Sequence, residues 1–254
     1  MNQVLLQDLH ENLPIYQIIT RKTADVFLTY QCNEQLDGDK MTATFLNYIN
    51  VTPPIEKIYS RLGYAKGKTN LDSQSKKKID MYIEQALEKI SLKASIVRVP
   101  LLNTDNNTVN LVAGISFQSK DLSVLFSGAQ ELLFMGVTAG RDIVETIAAY
   151  SKGKDVTASV VYDAVGSEMT DAALDWVTRF FSNSLRRENK GLTKRRYSAG
   201  YGDFGLKNQK TIYEVLELEK LGVSITEKFI LIPEKTVTAL AGIEAIDEKE
   251  QESE

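Results

Sequence analysis

The chain has 254 residues, 43% hydrophobic and 25% charged, with a net charge of −4. That balance belongs to a globular chain with a substantial core and argues against a nucleic-acid footprint, since its lysines and arginines are scattered. A single cysteine, Cys32, rules out an intrachain disulfide framework, and a single histidine, His10, argues against a histidine metal cage or a His-dependent triad. There is no basic-then-apolar leader and no run approaching about 18 apolar residues, so neither export nor membrane spanning is indicated and the cytoplasm is the default.

Residues 1–45 read as an N-terminal extension packed on the main domain, with a strand near Pro14–Ile19 and a short helix from Thr23 to Gln31. Pro53-Pro54 interrupts any element. The spacing of Ile79, Ile83, Leu87 and Ile90 predicts a helix over 73–92, with Lys76-Lys77-Lys78 on its solvated side. Apolar stretches at 96–102 and 109–117 flank the turn-forming Asn103–Asn107 and predict a β-hairpin. A short helix over 122–126, a buried strand over 132–137 and a helix over 142–150 follow. Lys152–Asp155 is expected to lead into a strand over 157–162. Ser167 is then expected to cap the longest helix, which runs to about Glu188. Met169, Ala173, Trp176, Val177 and Phe180 form its apolar stripe, and core packing is the natural role for Trp176 and Phe180.

The densest segment is Arg196-Tyr197-Ser198-Ala199-Gly200-Tyr201-Gly202-Asp203-Phe204. An arginine offers a fork of donors for a carboxylate, glycines admit close backbone approach, and a tyrosine offers a π face and a hydroxyl. On composition alone a surface turn and a ligand loop stand about level. Beyond Gly205 come a helical run through Ile212, Val215, Leu216 and Leu218 to a stop at Gly222, an apolar strand over 229–232, a Pro233-Glu234-Lys235 turn and a strand over 236–242. Glu244–Glu254 is an acidic tail expected to be disordered. The elements mix without regular βαβ alternation, and no G-x-G-x-x-G follows a strand, so the class is α+β.

Taken in order, four pieces resemble the activation domain of cobalamin-dependent methionine synthase. They are Ile55–Tyr64, similar to the family's early R-x-L-G-Y element, Leu133–Gly140, similar to its apolar strand ending in A-V-T-x-G, Asp163-Ala164-Val165-Gly166-Ser167 (D-A-I-G-S), and the 196–242 stretch. In the family the last reads R-x-S-P-G-Y-G-D-x-P, then G-V-x-L-T-E, then P-x-K-S-V-S. The resemblance covers roughly residues 50–243 and implies three parts: an extension over 1–45, an activation-like domain over 46–243, and the tail over 244–254. The fold it implies is C-shaped, with a twisted, mainly antiparallel sheet flanked by helices.

The ligand it implies is S-adenosylmethionine. Arg196 would meet its carboxylate, Ser198, Gly200 and Tyr201 would supply loop contacts, and Asp171 would meet its amino end. Asp171 reads equally as a helix-dipole residue near an N-terminus, and Asp203 as a cap for the helix beginning near Leu206. The implied activity is reductive methylation: cobalamin reduced by a flavodoxin-like donor takes the methyl group, and no general base is needed. The corrinoid would be carried by a partner methyltransferase or methionine synthase module, because no D-x-H-x-x-G motif is present. The alternative is a non-enzymatic subunit that docks on a corrinoid protein and gates it; a third is an unrelated small-molecule binder on the same fold. Ala199 and Gly205 stand where the family has prolines, Thr236 and Thr238 where it has serines, and its adjacent tyrosine pair is missing.

Overall fold

The segment Glu131–Thr138 is apolar on both of its alternating faces, and such a strand is stable only when covered on both sides. The computed structural model describes residues 41–65, 68–153 and 155–246 and puts this strand, β5, near the middle of the sheet. Leu133, Met135 and Val137 enter one core, and Leu132 and Phe134 enter the other.

The strands are β1 (Thr44–Leu46), β2 (Lys93–Thr104), β3 (Thr108–Leu111), β4 (Ser116–Gln118), β5, β6 (Lys190–Leu192), β7 (Ser224–Ile225), β8 (Leu231–Ile232) and β9 (Thr236–Ala245). The main sheet runs β4-β3-β2-β5-β9-β6, with β1 also on β2, and β7-β8 is a separate hairpin. Every pairing among the described residues is antiparallel. The helices are α1 (Ile55–Arg61), α2 (Ser73–Leu87), α3 (Lys120–Leu125), α4 (Arg141–Lys152), α5 (Val156–Leu185) and α6 (Gln209–Val215). Helices α1, α2, α4 and α5 cover one face. Helices α3 and α6, with the 199–204 loop, cover the other. The expected α+β class with a mainly antiparallel sheet and flanking helices is what the molecule has.

Several local expectations are corrected. The strand over 157–162 does not form: α5 is one helix of 30 residues, capped by Asp155, whose carboxylate accepts from Ala158 N at 3.1 Å. The β-branched pair Val160-Val161 suggests a strand, but Ala158, Val161, Val165, Met169, Ala173 and Val177 recur at helical spacing and are all buried. Ser167 is therefore mid-helix and caps nothing. The second hairpin strand splits, because left-handed Ala113 and Gly114 redirect the chain from β3 into β4. The helical run after Gly205 breaks into short turns around α6, with Glu217 left-handed, while Gly222 ends it as expected. The strand over 229–232 shrinks to Leu231–Ile232, since Phe229 takes a positive φ in a tight 226–230 turn.

The 1–40 part of the expected extension lies outside the described residues, and so do 247–254 of the tail. Thr44 and Phe45, assigned to the extension, pair with Ile96 and Ser95 of β2. Glu244 and Ala245, assigned to a disordered tail, belong to β9, where they pair with Gly191 and Lys190. An acidic sequence does not prevent pairing when the next strand supplies the ladder.

Candidate functional site

Lys235 follows the turn at Ile232-Pro233 and crosses beneath α5. Its Nζ donates to Asp163 Oδ1 at 2.7 Å and to Ser167 Oγ at 2.8 Å. Its stem passes over Gly166, where a Cβ would sit 3.2 Å from Lys235 Cγ. A glycine inside a helix costs about 1 kcal/mol relative to alanine, and here the missing side chain is the lysine's passage. The Lys235 carbonyl accepts from Ala139 N at 2.9 Å, and Thr236 Oγ1 donates to Thr138 Oγ1 at 2.9 Å. Segments 137–140, 163–167 and 233–238 thus form one clamp that fixes the start of β9 against α5.

Beside the clamp, β9 holds the glycine-rich loop. Tyr197 and Leu240 exchange backbone hydrogen bonds at 2.9 and 2.8 Å, and Ser198 Oγ donates to the Thr238 carbonyl at 2.7 Å. Gly200 turns the chain back, its N–H donating to the Phe204 carbonyl at 2.7 Å, and Phe204 is buried edge-on against Phe117. Asp203 caps α3, accepting from Ser119 Oγ and from Lys120 N, which corrects its expected role at the helix after Gly205. These bonds hold the Asp203 carboxyl below the usual carboxylate range, the Ser119 hydroxyl contributing most. Gly202 has a positive φ, and a Cβ there would run into the Tyr197 hydroxyl and the Asp121 carboxylate. The loop is therefore anchored at both flanks while Tyr201, 69% exposed, projects from it.

Between this loop, α5, α6 and the β8–β9 turn lies a cleft of about 330 Å³. Asp171, Ser198 and Tyr201 line it; Gly200 lies within the loop that forms its wall. Tyr201, Leu206 and Ile230 give it an exposed apolar rim. Burial pushes the Asp171 carboxyl up, the neighbouring Glu168 charge adds to this, and Arg61, 3.7 Å away, offsets part of it. Arg61 is itself tied to the buried Glu168, its Nε donating to Oε1 at 2.6 Å. Arg61, at the end of α1, thus ties that helix to two carboxylates of the α5 wall.

Arg196 is placed differently from the other four. It lines an adjoining depression, where its Nη2 donates to Asp175 Oδ1 and its Nη1 to Thr178 Oγ1, both at 2.7 Å.

Two cleft residues were missed in the sequence. Glu234 lines the cleft and is exposed. Gln209, 5% exposed, accepts from Thr238 Oγ1 at 3.0 Å, and its Nε2 has no partner among the described residues. The signal for Gln209 was its position three residues before Ile212 and seven before Leu216, a polar side chain on an apolar helical stripe. Among the described residues no group of three or more metal-ligating side chains converges, and no helix is long and apolar enough to cross a membrane.

No family model matches the chain, and neither does any curated protein. A solved structure does: the crystal structure of the MetH reactivation domain bound to AdoHcy superposes with a TM-score of 0.57, covering 80% of this chain and 79% of that chain at 14% identity. The chain has the reactivation-domain fold. At that identity the backbone architecture is what the two share.

Proposed function

We propose that the protein binds S-adenosylmethionine in the cleft and supports reductive methylation of a corrinoid held on a partner methyltransferase. The supporting observation is the cleft's position in a reactivation-domain fold, walled by the glycine-rich loop and by α5. Its chemistry fits the ligand. Asp171 and Glu234 suit the cationic end, the Tyr201, Leu206 and Ile230 rim suits a flat apolar base, and the unpaired Gln209 amide can donate to a buried acceptor. Ser198 and Gly200 shape the wall. Arg196 is the proposed carboxylate partner, and the ligand would compete with Asp175 for its fork.

When bound, S-adenosylmethionine would supply a methyl group on a sulfonium, an electrophile whose transfer to a strongly nucleophilic acceptor would need no general base from the protein. The protein's task is to position the donor and exclude water. The electron would come from a flavodoxin-like donor, the corrinoid from a partner, and the complex would work in the cytoplasm. A second reading, a non-enzymatic subunit that docks on and gates a corrinoid protein, draws support from Arg196 being already engaged by Asp175.

Calorimetry with S-adenosylmethionine tests the first reading. Saturable binding, followed by reductant-dependent methyl transfer to a corrinoid methyltransferase lacking its own activation module, is the expected outcome. Partner binding with no heat from S-adenosylmethionine would favour the second reading.

A further inference from the structure

The last turns of α5 and the segment after them carry charge that the fold leaves unbalanced. Residues 179–196 hold seven lysines and arginines and one carboxylate, Glu188, in a chain whose net charge is −4. Two groups around them are neutral within themselves: Arg98 and Lys190 with Glu131 and Glu188, and Arg196 with Asp175. Arg179, Arg187, Lys194 and Arg195 remain, all exposed and without an ion pair or side-chain hydrogen bond among the described residues. Arg179, Lys194 and Arg195 edge one depression of about 490 Å³. Like charges gathered around a concavity repel one another and raise the local concentration of anions.

Solvated cations alone would be an ordinary surface, but the connectivity brings a counter-charge to this one. Strand β9 ends beside the strip: Ala245 pairs with Lys190, and Ile246 N donates to the Asn189 carbonyl at 2.9 Å, two residues from Arg187. The sequence that follows Ile246 is Asp247-Glu248-Lys249-Glu250-Gln251-Glu252-Ser253-Glu254, five carboxylate side chains against one lysine. The basic segment runs antiparallel to β9, with Leu192 opposite Ile243, Thr193 N bonded to the Gly242 carbonyl and Tyr197 paired with Leu240. Lys194 and Arg195 therefore flank β9 near Ala241, about 17 Å back from Ile246 at the rise of a strand. Eight extended residues reach about 27 Å, which spans that distance.

We infer that the basic strip is a docking surface for an extended acidic polypeptide, and that its resident occupant is the chain's own segment 247–254. The segment turns back from Ile246 along Arg187 and sets its carboxylates against Arg179, Lys194 and Arg195. Coulomb attraction at this range has no strict direction, so the pairing needs no single conformation. Each exposed pair is weak, but the covalent link holds the carboxylates at about millimolar effective concentration, which makes weak pairs sufficient. Seated there, the segment withholds the strip from other anions. The face opens only when salt or a competing acidic surface displaces it.

The test compares the full chain with one ending after Ile246, using a fluorescein-labelled peptide of residues 247–254 as the probe. At about 20 mM salt, anisotropy should show the peptide binding the shortened chain about tenfold or more tighter than the full chain, whose own segment fills the strip. Binding should be lost at about 0.5 M salt. In the shortened chain, Arg179→Gln, Lys194→Gln and Arg195→Gln together should weaken the peptide about tenfold or more and move Tm by no more than about a degree or two, because all three side chains are exposed and unpaired. In the full chain at low salt, carbodiimide should join Lys194 to a carboxylate of 247–254 within one molecule, in a yield independent of protein concentration. No binding to the shortened chain, or binding that survives the triple substitution, would overturn the docking surface. Equal affinity for the two chains, or no such cross-link, would overturn the segment as its resident occupant.

Discussion

The clamp beneath α5 and the cleft beside it are built from the same segments, yet they treat polar groups in opposite ways. In the clamp the Lys235 ammonium has two partners, the Thr138 and Thr236 hydroxyls bond each other, and Gly166 opens the space the lysine needs. In the cleft, Gln209 Nε2 and the Glu234 carboxylate have no partner among the described residues, and Tyr201, Leu206 and Ile230 expose apolar surface. A buried polar group that is paired holds the fold in one arrangement. One left unpaired costs stability in the free protein, and that cost is relieved when a ligand arrives. The difference separates the residues that position the site from those that can bind.

Substitutions can break that division. Lys235→Ala removes a mostly buried side chain and two hydrogen bonds but leaves Asp163 half-exposed and able to rehydrate, so a loss of about 1–3 kcal/mol is expected in urea unfolding. Ligand affinity corrected for the folded fraction should change little. A large affinity loss without destabilisation would place Lys235 in the site. Arg196→Ala should act the other way, weakening S-adenosylmethionine by about 1.5–3 kcal/mol in calorimetry. An unchanged affinity would reduce Arg196 to a strut between its loop and α5. Tyr201→Ala should leave stability within about 0.5 kcal/mol and weaken the ligand by about 0.5–1.5 kcal/mol through lost ring contact.

Acid should separate the two regions as well. A carboxyl pushed up in the fold, as burial does to Asp171, stabilises the protein while protonated, and that contribution is lost as pH rises through its raised pKa. Its ionised form is the one that attracts a cationic ligand. Glu188 and Glu131 behave oppositely. Hydrogen bonding to Arg98 holds Glu188 down; burial pushes Glu131 up but is outweighed by Arg98 and Lys190. Their stabilisation is present above the ordinary glutamate value, about 4.3, and is lost as pH falls through their lowered pKa values. Titration from neutral pH downward should therefore weaken S-adenosylmethionine binding before circular dichroism reports unfolding. Coincident midpoints would tie the affinity loss to unfolding rather than to Asp171.

The smallest effect concerns the C-terminus. Ile246 N donates to the Asn189 carbonyl at 2.9 Å, and Ala245 pairs with Lys190. Ending the chain after Ile246 should keep Tm within a degree or two, since surface changes rarely exceed about 0.5 kcal/mol. Ending it after Ile243 should lower Tm measurably, because β6 then loses its pairs at Lys190 and Gly191 and keeps only Leu192 with Ile243. Equal melting curves would show that the last turn of pairing is dispensable.

Much of the fold was legible because apolar period and punctuation carry it. Helix α2, the hairpin turn at Asn103–Asn107, β5 and the stop at Gly222 follow from local residues. The strand expected at 157–162 failed because β-branched valines state a local preference that a 3.6-residue repeat of burial overrides across the whole of α5. The loop at 196–204 stood out by composition, and four of its five expected site residues, counting Asp171, fall at or around one cleft.

The order of the motifs, the α+β class and the chemistry available to the glycine-rich loop are properties of the sequence, since they depend on residue identity and short-range spacing. Pairings across long separations are decided only by the tertiary structure: Lys235 with Asp163, Arg61 with Glu168, Arg196 with Asp175, and Gln209 with Thr238. Which polar groups are satisfied, and which are left for a ligand, depends on what the packed sheet and helices bring within 3 Å, and hydrogen bonds act only at that range.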